Sequence, residues 1–210
     1  MTAAAAGAFA VVVAVDWVAV YRQWARAEQV AKPLVMVALA WLALTMGAAH
    51  DEVGRLVLVA LGFSLAGDIF LLRESAVDFL GGLVSFLLAH IAYVLAFLTV
   101  GLQQRWALVG LLIAVSLSLT AGRRIVRGAV DQGGVALGAG VTAYLMVISA
   151  MVVAAGGTAR PLVLLGAVSF LASDTVLALD RFVGQRGHAR MVVTVTYHLG
   201  QVMMVIGALR

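Results

Sequence analysis

Residues 79–100 read FLGGLVSFLLAHIAYVLAFLTV, a stretch without a single Asp, Glu, Lys or Arg. A helix needs about 20 mostly apolar residues to cross the hydrocarbon core of a bilayer, because each residue advances it by about 1.5 Å. This stretch is long enough. It therefore predicts a transmembrane helix that carries His90 near its middle.

Seven further apolar runs lie between charged or Gly/Pro breaks in the rest of the chain. They cover residues 3–21, 33–49, 56–72, 105–121, 134–155, 161–179 and 191–208. Pro33 and Pro161 each start a run, where a missing N–H costs no intrahelical hydrogen bond. The sequence predicts an all-α integral membrane protein, a bundle of about eight transmembrane helices that forms a single polytopic membrane domain, residues 1–210.

The composition of the chain fits this class of protein. Of its 210 residues, 64% are hydrophobic and 11% are charged, and the mean hydropathy is +1.09. Soluble domains contain about 45–50% apolar and about 25% charged residues. The absence of cysteine excludes disulfides, thiolate nucleophiles and Cys-ligated metals. The net charge of +4 comes mostly from arginines in short loops, which suits an anionic membrane surface and not nucleic acid.

Lysines and arginines are unevenly distributed between the two ends of the predicted spans. Ten of the 14 fall on the side of the loops that follow spans 1, 3, 5 and 7, and four fall on the other side. By the positive-inside rule the richer side faces the cytoplasm, so both termini face out of a multi-pass protein of the cell membrane. Arg22 and Arg26 follow the first span and no basic residue precedes it, which predicts a retained span and not a signal peptide.

Small residues recur at helical spacing in two spans. Gly81, Ser85 and Ala89 form one stripe, and Gly134 with Gly138 forms another. Such stripes let helix backbones approach closely, so we interpret them as structural. A short repeat, LAGD at 65–68 and LASD at 171–174, sets two aspartates at similar predicted depth.

Polar side chains within the apolar spans are the first candidates for function. An ionisable group at the bilayer centre costs about 2.5–3.5 kcal/mol on insertion scales, so its retention indicates a role. The ionisable candidates are Asp68, His90 and Asp174. Their polar companions are Lys32, at the mouth of span 2, and Tyr93, Tyr144, Ser173, Tyr197 and Gln201. Their predicted depths are compatible with one cavity that opens toward the cytoplasmic leaflet.

Each candidate also has a structural interpretation. Asp68 and Asp174 can form polar pairs that fix helix packing, His90 can donate a hydrogen bond to a neighbouring helix, and the tyrosines can simply pack. Serines and Gln201 are common hydrogen-bonding groups between helices. We expect Asp16, near the end of span 1, to reach the interface.

We assign His198 no function, because it lies near the end of span 8 and off the face shared by Tyr197 and Gln201. The functional hypothesis rests on the co-occurrence of two acids, a histidine and two tyrosines at compatible depths.

The candidate set favours general acid–base chemistry. One histidine and two aspartates could ligate zinc, but they would come from three helices and no HExxH spacing is present. No GxSxG elbow supports a serine hydrolase. Two carboxyl groups in a site of low dielectric can divide into a protonated acid and an ionised partner, while a histidine or tyrosine orients water.

Five segments carry a resemblance that runs through nearly the whole chain in order. They are KPL at 32–34, FSLAGD at 63–68, FLGGL at 79–83 followed by AHIAY at 89–93, FLASDTVLA at 170–178, and TYHLGQ at 196–201. Together they resemble the YhhN family of membrane lysoplasmalogenases. Thr196 and Gly200 depart from that family's usual tyrosine and alanine, and these departures affect packing near Tyr197.

The resemblance implies an ether hydrolase that takes lysoplasmalogens from the bilayer. It would cleave their vinyl ether to a fatty aldehyde and a glycerophospho-ethanolamine or -choline, without a metal or an organic cofactor. Such a reaction needs an acid, an anion near the developing cation, and a positioned water. Asp68 and Asp174 would divide the first two tasks, His90 or Tyr197 would orient the water, and Lys32 would meet the lipid phosphate.

Two other functions remain open from the sequence alone. A protein with acids inside its spans can be a small proton-coupled transporter or lipid carrier. A hydrolase of the same fold can also act on another lysolipid, because a fold does not determine a substrate.

Overall fold

The computed structural model describes residues 1–73 and 75–210. Within these ranges the chain forms helices and no strands, which confirms the all-α prediction. The helices are α1 (Thr2–Tyr21), α2 (Ala25–Thr45), α3 (Glu52–Leu71), α4 (Ala76–Val100), α5 (Gln104–Leu117), α6 (Arg123–Gly157), α7 (Pro161–Phe182) and α8 (Ala189–Ala208). A π-helical turn, Ser118–Gly122, joins α5 to α6.

Seven of the helices in the described part of the chain are long and apolar enough to cross a membrane. Here Gln104–Gly157, which contains α5, the π turn and α6, counts as one helix of 54 residues. The protein is therefore a multi-pass helical membrane protein, but the count of eight spans is not confirmed. The difference lies in this long helix, which the sequence divides into spans 105–121 and 134–155.

The long helix is interrupted at two adjacent glycines. Gly133 has φ −139° and ψ 18°, and Gly134 has φ +71° and ψ −172°, a conformation that glycine adopts without the steric cost of a Cβ. A Cβ built on Gly110 would lie 2.5 Å from the carbonyl oxygen of Val152, and one on Gly156 would lie 2.6 Å from that of Trp106. The two sides of the interruption are therefore antiparallel neighbours.

Two predictions about individual residues are corrected by these helices. Gly134 is a turn residue and not part of a packing stripe, whereas Gly138 does face Val130 closely, with its Cβ position 2.3 Å from Val130 Cγ2. Pro33 lies inside α2 and not at its start, because the more polar segment before it, from Ala25 onward, is already helical. Pro161 occupies the first position of α7, as predicted.

The chain divides into two compact units. The first contains Met1–Val100 with Val205–Arg210, and the second contains Gly101–Met204. In the first unit α1 packs on α2, α2 on α3 and α3 on α4; in the second α5 packs on α6 and α6 on α7. The prediction of a single domain over residues 1–210 stays a prediction.

In the first unit, α3 and α4 meet where aromatic rings of one helix pack against glycines of the other. A Cβ on Gly67 would lie 2.6 Å from the ring of Phe86, and one on Gly81 would lie 2.8 Å from the ring of Phe70. Each ring thus occupies the space that a larger residue on the facing helix would need. This confirms that the stripe beginning at Gly81 brings helices together.

In the second unit α7 and α8 meet along a seam of small residues. A Cβ on Gly166 would lie 2.7 Å from the backbone nitrogen of Met204 and 2.8 Å from the carbonyl oxygen of Gly200. Beside this contact, Ser169 Oγ donates to the Thr196 carbonyl oxygen at 2.8 Å and Ser173 Oγ donates to that of Val193 at 3.0 Å. The two serines are interhelical hydrogen-bonding groups, as predicted, and they hold α8 in register with α7.

Candidate functional site

One candidate polar group is an ion pair inside the first unit. Asp68, in the last turn of α3, is 1% exposed, and Lys32, in α2, has a side chain that is 14% exposed. Lys32 Nζ lies 4.0 Å from Asp68 Oδ1. Since each buried charge would be costly alone, the pair is held by mutual neutralisation. The sequence predicts a role for each residue but does not predict that they pair.

Two further acids lie in the interior of the same unit. Asp16 on α1 is 0% exposed, so the expectation that it reaches the interface is wrong. Glu28 is 3% exposed and stands four residues before Lys32 on α2, a spacing that places both on one helix face. Sequence reasoning missed Glu28, although this Glu–Lys spacing is the signal that could have found it.

Helix α4 contributes two fully buried polar side chains to the first unit. His90 and Tyr93 are three residues apart on one face of the helix. The Tyr93 ring stacks on that of Phe97, with centroids 5.7 Å apart, so its body is part of the packed core. The predicted roles of His90 in orienting water and of Tyr93 in binding substrate stay predictions.

The second polar group is a hydrogen bond inside the second unit. The Tyr144 hydroxyl on α6 donates to Asp174 Oδ2 on α7. Tyr144 is buried, while Asp174 is partly accessible. The carboxyl group that the sequence selects as a candidate acid is therefore oriented by a tyrosine that the sequence assigns to substrate binding.

The candidate residues of α8 surround the seam with α7. Tyr197 packs edge-on against Phe170, with ring centroids 5.1 Å apart, and its ring lies 5.4 Å from that of His198. Tyr197, His198 and Gln201 are all buried. The hydroxyl of Ser173 is bonded to the α8 backbone, so in this structure it supports α8; its predicted role in substrate binding stays a prediction.

Two pairings thus emerge from the candidate set. Lys32 lies with Asp68 and Tyr144 with Asp174, each pair within one unit. Among residues 1–73 and 75–210 no group of three or more His, Cys, Asp or Glu side chains could hold a metal ion. The arrangement offers carboxyl groups that are held inside apolar helices by a cation in one case and by a hydroxyl donor in the other.

The fold and these buried carboxyl groups define a multi-pass helical membrane protein with ionisable side chains inside its spans. The chain belongs to the YhhN family, whose profile matches residues 27–208. This confirms the resemblance drawn from the five sequence motifs.

Two relatives carry the same descriptive name. The chain is 34% identical over 154 residues to lysoplasmalogenase TMEM86B from Homo sapiens and, to the same extent, to lysoplasmalogenase TMEM86B from Mus musculus. Each alignment covers 72% of this chain and 62% of the relative, so the chain matches less than two thirds of the length of these relatives. No solved structure matches the chain significantly.

Proposed function

We propose that the protein is a lysoplasmalogenase-like ether hydrolase that cleaves the vinyl ether bond of a lysophospholipid within the membrane. The observation that carries the proposal is a partnered carboxyl group inside an apolar helix, Asp174 with Tyr144, in a member of a family whose relatives are named lysoplasmalogenases. An acid in this position can act on a lipid that does not leave the bilayer.

The reaction needs one proton transfer to carbon and one molecule of water. The acid protonates the β-carbon of the vinyl ether, and the electrons of the double bond form the new C–H bond, which leaves an oxocarbenium ion. Water adds to the cationic carbon and loses a proton to give a hemiacetal. The hemiacetal expels the glycerol oxygen as an alcohol, so the products are a fatty aldehyde and a glycerophospho-ethanolamine or -choline. Positioned acids contribute about 10²–10⁴-fold to such steps.

Each unit offers one candidate carboxyl group for this chemistry. In the second unit Tyr144 bonds Asp174 Oδ2, so Oδ1 would carry the transferred proton. In the first unit Asp68 is paired with Lys32, a cation that could also attract the lipid phosphate. The roles of His90 and Tyr197 in orienting water, and of Tyr93, Ser173 and Gln201 in binding substrate, are part of the same proposal.

The test is aldehyde release by the purified full chain in lipid nanodiscs supplied with a lysoplasmalogen. Asp174→Asn and Asp68→Asn should each lower the rate by about 10²–10⁴-fold, because asparagine neither donates a proton as an acid does nor carries a charge. Asp131→Asn, an exposed carboxyl on α6, is the matched control and should keep the wild-type rate. Full activity in both Asp174→Asn and Asp68→Asn, with folded protein shown by a monodisperse elution profile, would remove the acid assignment.

The membrane arrangement belongs to the same proposal. The antiparallel halves of Gln104–Gly157 make two crossings, so the chain crosses the membrane eight times. Both termini then face out of the cell membrane, and the arginine-rich connections face the cytoplasm.

A second candidate function is proton-coupled transport of a small molecule or lipid. The buried Lys32–Asp68 pair favours it, because charged pairs inside spans also serve as coupling sites in transporters. Aldehyde release in detergent micelles separates the two functions, since transport has no meaning without two compartments. A hydrolase of another lysolipid would instead release its own product from that lipid and leave the vinyl ether intact.

A further inference from the structure

A groove of about 480 Å³ runs between α5 with its π turn and α7 in the second unit. Its volume falls in the range of about 300–1,000 Å³ that is usual for small-molecule sites. One wall carries residues at helical spacing, Leu112, Ser116 and Thr120, and the other carries Val168, Leu171 and Ala172. From Leu112 to Thr120 the groove extends about 12 Å at 1.5 Å per residue.

The lining of the groove is mostly apolar. Ser116 Oγ donates to the Leu112 carbonyl oxygen at 2.7 Å, and Thr120 Oγ1 donates to that of Ser116 at 2.9 Å. Ser116 and Thr120 both donate their hydroxyl protons to backbone carbonyl oxygens of their own helix. They therefore do not need a polar ligand as a hydrogen-bond partner. An elongated, open, apolar groove of this kind can accommodate an aliphatic chain.

The π turn shapes this groove. A π turn forms i→i+5 hydrogen bonds in place of the usual α-helical bonds and locally widens the helix. Thr120 lies in this turn and lines the groove, and its Oγ1 also lies 3.1 Å from the Leu117 carbonyl oxygen. A separate small cavity of about 10 Å³ shares Leu117 and Leu171 with the groove and reaches Thr175.

The residues along α7 follow the order of parts in a single-chain ether lipid. Leu171 lines the groove, Asp174 lies three residues later on the same face of α7, and Arg181 stands about 10 Å beyond Asp174 along the helix. Arg186 and Arg190 are exposed in the connection to α8 and its first turn. A lipid with one chain has its hydrocarbon, its ether bond and its phosphate in this same sequence, and arginine is well suited to bind phosphate.

We propose that this groove binds the single hydrocarbon chain of an ether lysolipid, with the ether bond level with Asp174 and the phosphate toward Arg181. The inference rests on the proposed function and deepens it, because it names the surface that holds the substrate chain. It also assigns Asp174, and not Asp68, as the acid beside the bond.

The first experiment narrows the groove and compares substrates that differ only in chain length. Ser116→Phe places a ring in the groove, whereas Val115→Phe adds a ring to the same helix at an exposed position outside the lining. Loss of a few methylene contacts should raise KM for a long-chain lysoplasmalogen by about tenfold or more in Ser116→Phe. KM for a short-chain substrate should change little, and Val115→Phe should match the wild type with both. Equal KM values in the two variants would overturn the proposal.

The second experiment measures binding without turnover. An uncleavable alkyl lysophospholipid with a photoreactive group in its chain is irradiated with the full protein in nanodiscs, and the labelled peptides are sequenced by mass spectrometry. Labelling should fall on α5 and α7 and should drop several-fold in Ser116→Phe. Labels confined to other helices would overturn the groove as the site. Labelling of the groove in a protein that releases no aldehyde would reject the proposed hydrolase while the chain site stands.

Discussion

At the scale of single residues, the Lys32–Asp68 pair places two charges inside apolar helices of the first unit. Removal of Lys32 or Asp68 takes the opposite charge away from a buried ion pair, which typically costs about 3–5 kcal/mol. Replacement of both removes the charges together and largely avoids that cost. The pair therefore allows the structural role of Asp68 to be separated from a chemical role.

We predict that Lys32→Gln lowers stability by about 3–5 kcal/mol and that Lys32→Gln/Asp68→Asn recovers most of it. Thermal unfolding of the detergent-solubilised variants measures this. Aldehyde release should stay lost in the double variant, since the amide cannot replace the carboxyl group. A double variant that is both stable and active would show that Asp68 serves helix packing alone.

Which polar residues lie inside could be predicted from the sequence only in part. Asp68, His90 and Asp174 stand out because they interrupt long apolar runs, and Asp68 and His90 are indeed fully buried. The prediction that Asp16 reaches the interface was wrong because α1 is apolar on every side, so its sequence does not show which face meets other helices. The bond from Tyr144 to Asp174 joins residues 30 apart, and no local pattern specifies which helices become neighbours.

At the scale of the helices, the α7–α8 seam depends on the lack of side chains at Gly166 and Gly200. A methyl group on Gly166 would approach the α8 backbone to 2.7 Å, so the helices would have to separate. Separation would also lengthen the bonds from Ser169 and Ser173 to α8, since these cross the same seam. The position of Tyr197 against Phe170 thus depends on residues without side chains one turn away.

We predict that Gly166→Ala destabilises the protein by about 1–3 kcal/mol through overpacking. Gly62→Ala on α3 is the matched control, because nothing lies within 4 Å of its Cβ position. It should be neutral or stabilising by up to about 1 kcal/mol, as alanine favours helices over glycine. Thermal unfolding in detergent compares the two, and equal unfolding temperatures would contradict the close approach of α7 and α8.

The helices also show where sequence patterns are ambiguous. Glycine serves both close packing and positive φ, so Gly134 and Gly138 look alike in sequence although only Gly138 packs against a neighbouring helical segment. The start of α2 was predicted too late. An apolar run indicates which residues can face lipid, but a helix can begin before that run. The π turn at Ser118–Gly122 has no signature in composition.

At the scale of the whole molecule, the number of membrane crossings depends on the stretch Gln104–Gly157. One crossing would put Gln103 and His188 on the same side of the membrane, and two crossings would put them on opposite sides. The chain has no cysteine, so single cysteines can be introduced without removing any native thiol.

We predict that Val135→Cys and His188→Cys react from the cytoplasmic side and Gln103→Cys from the outer side. All three positions are exposed in the structure. The measurement is labelling with a membrane-impermeant maleimide in intact cells and in inverted vesicles. Labelling of Gln103→Cys and His188→Cys from one side would reject the eight-crossing arrangement.

The two-residue interruption at Gly133–Gly134 also orders events during synthesis of the chain. Only a short loop must close to bring α5 against the end of α6, so the entropy lost is small and these contacts form fast. Chains emerge from the ribosome N-terminus first, so this pair enters the membrane before α7 does. Tyr144, on the second arm of the pair, therefore enters the membrane ahead of Asp174, the carboxyl group to which it donates.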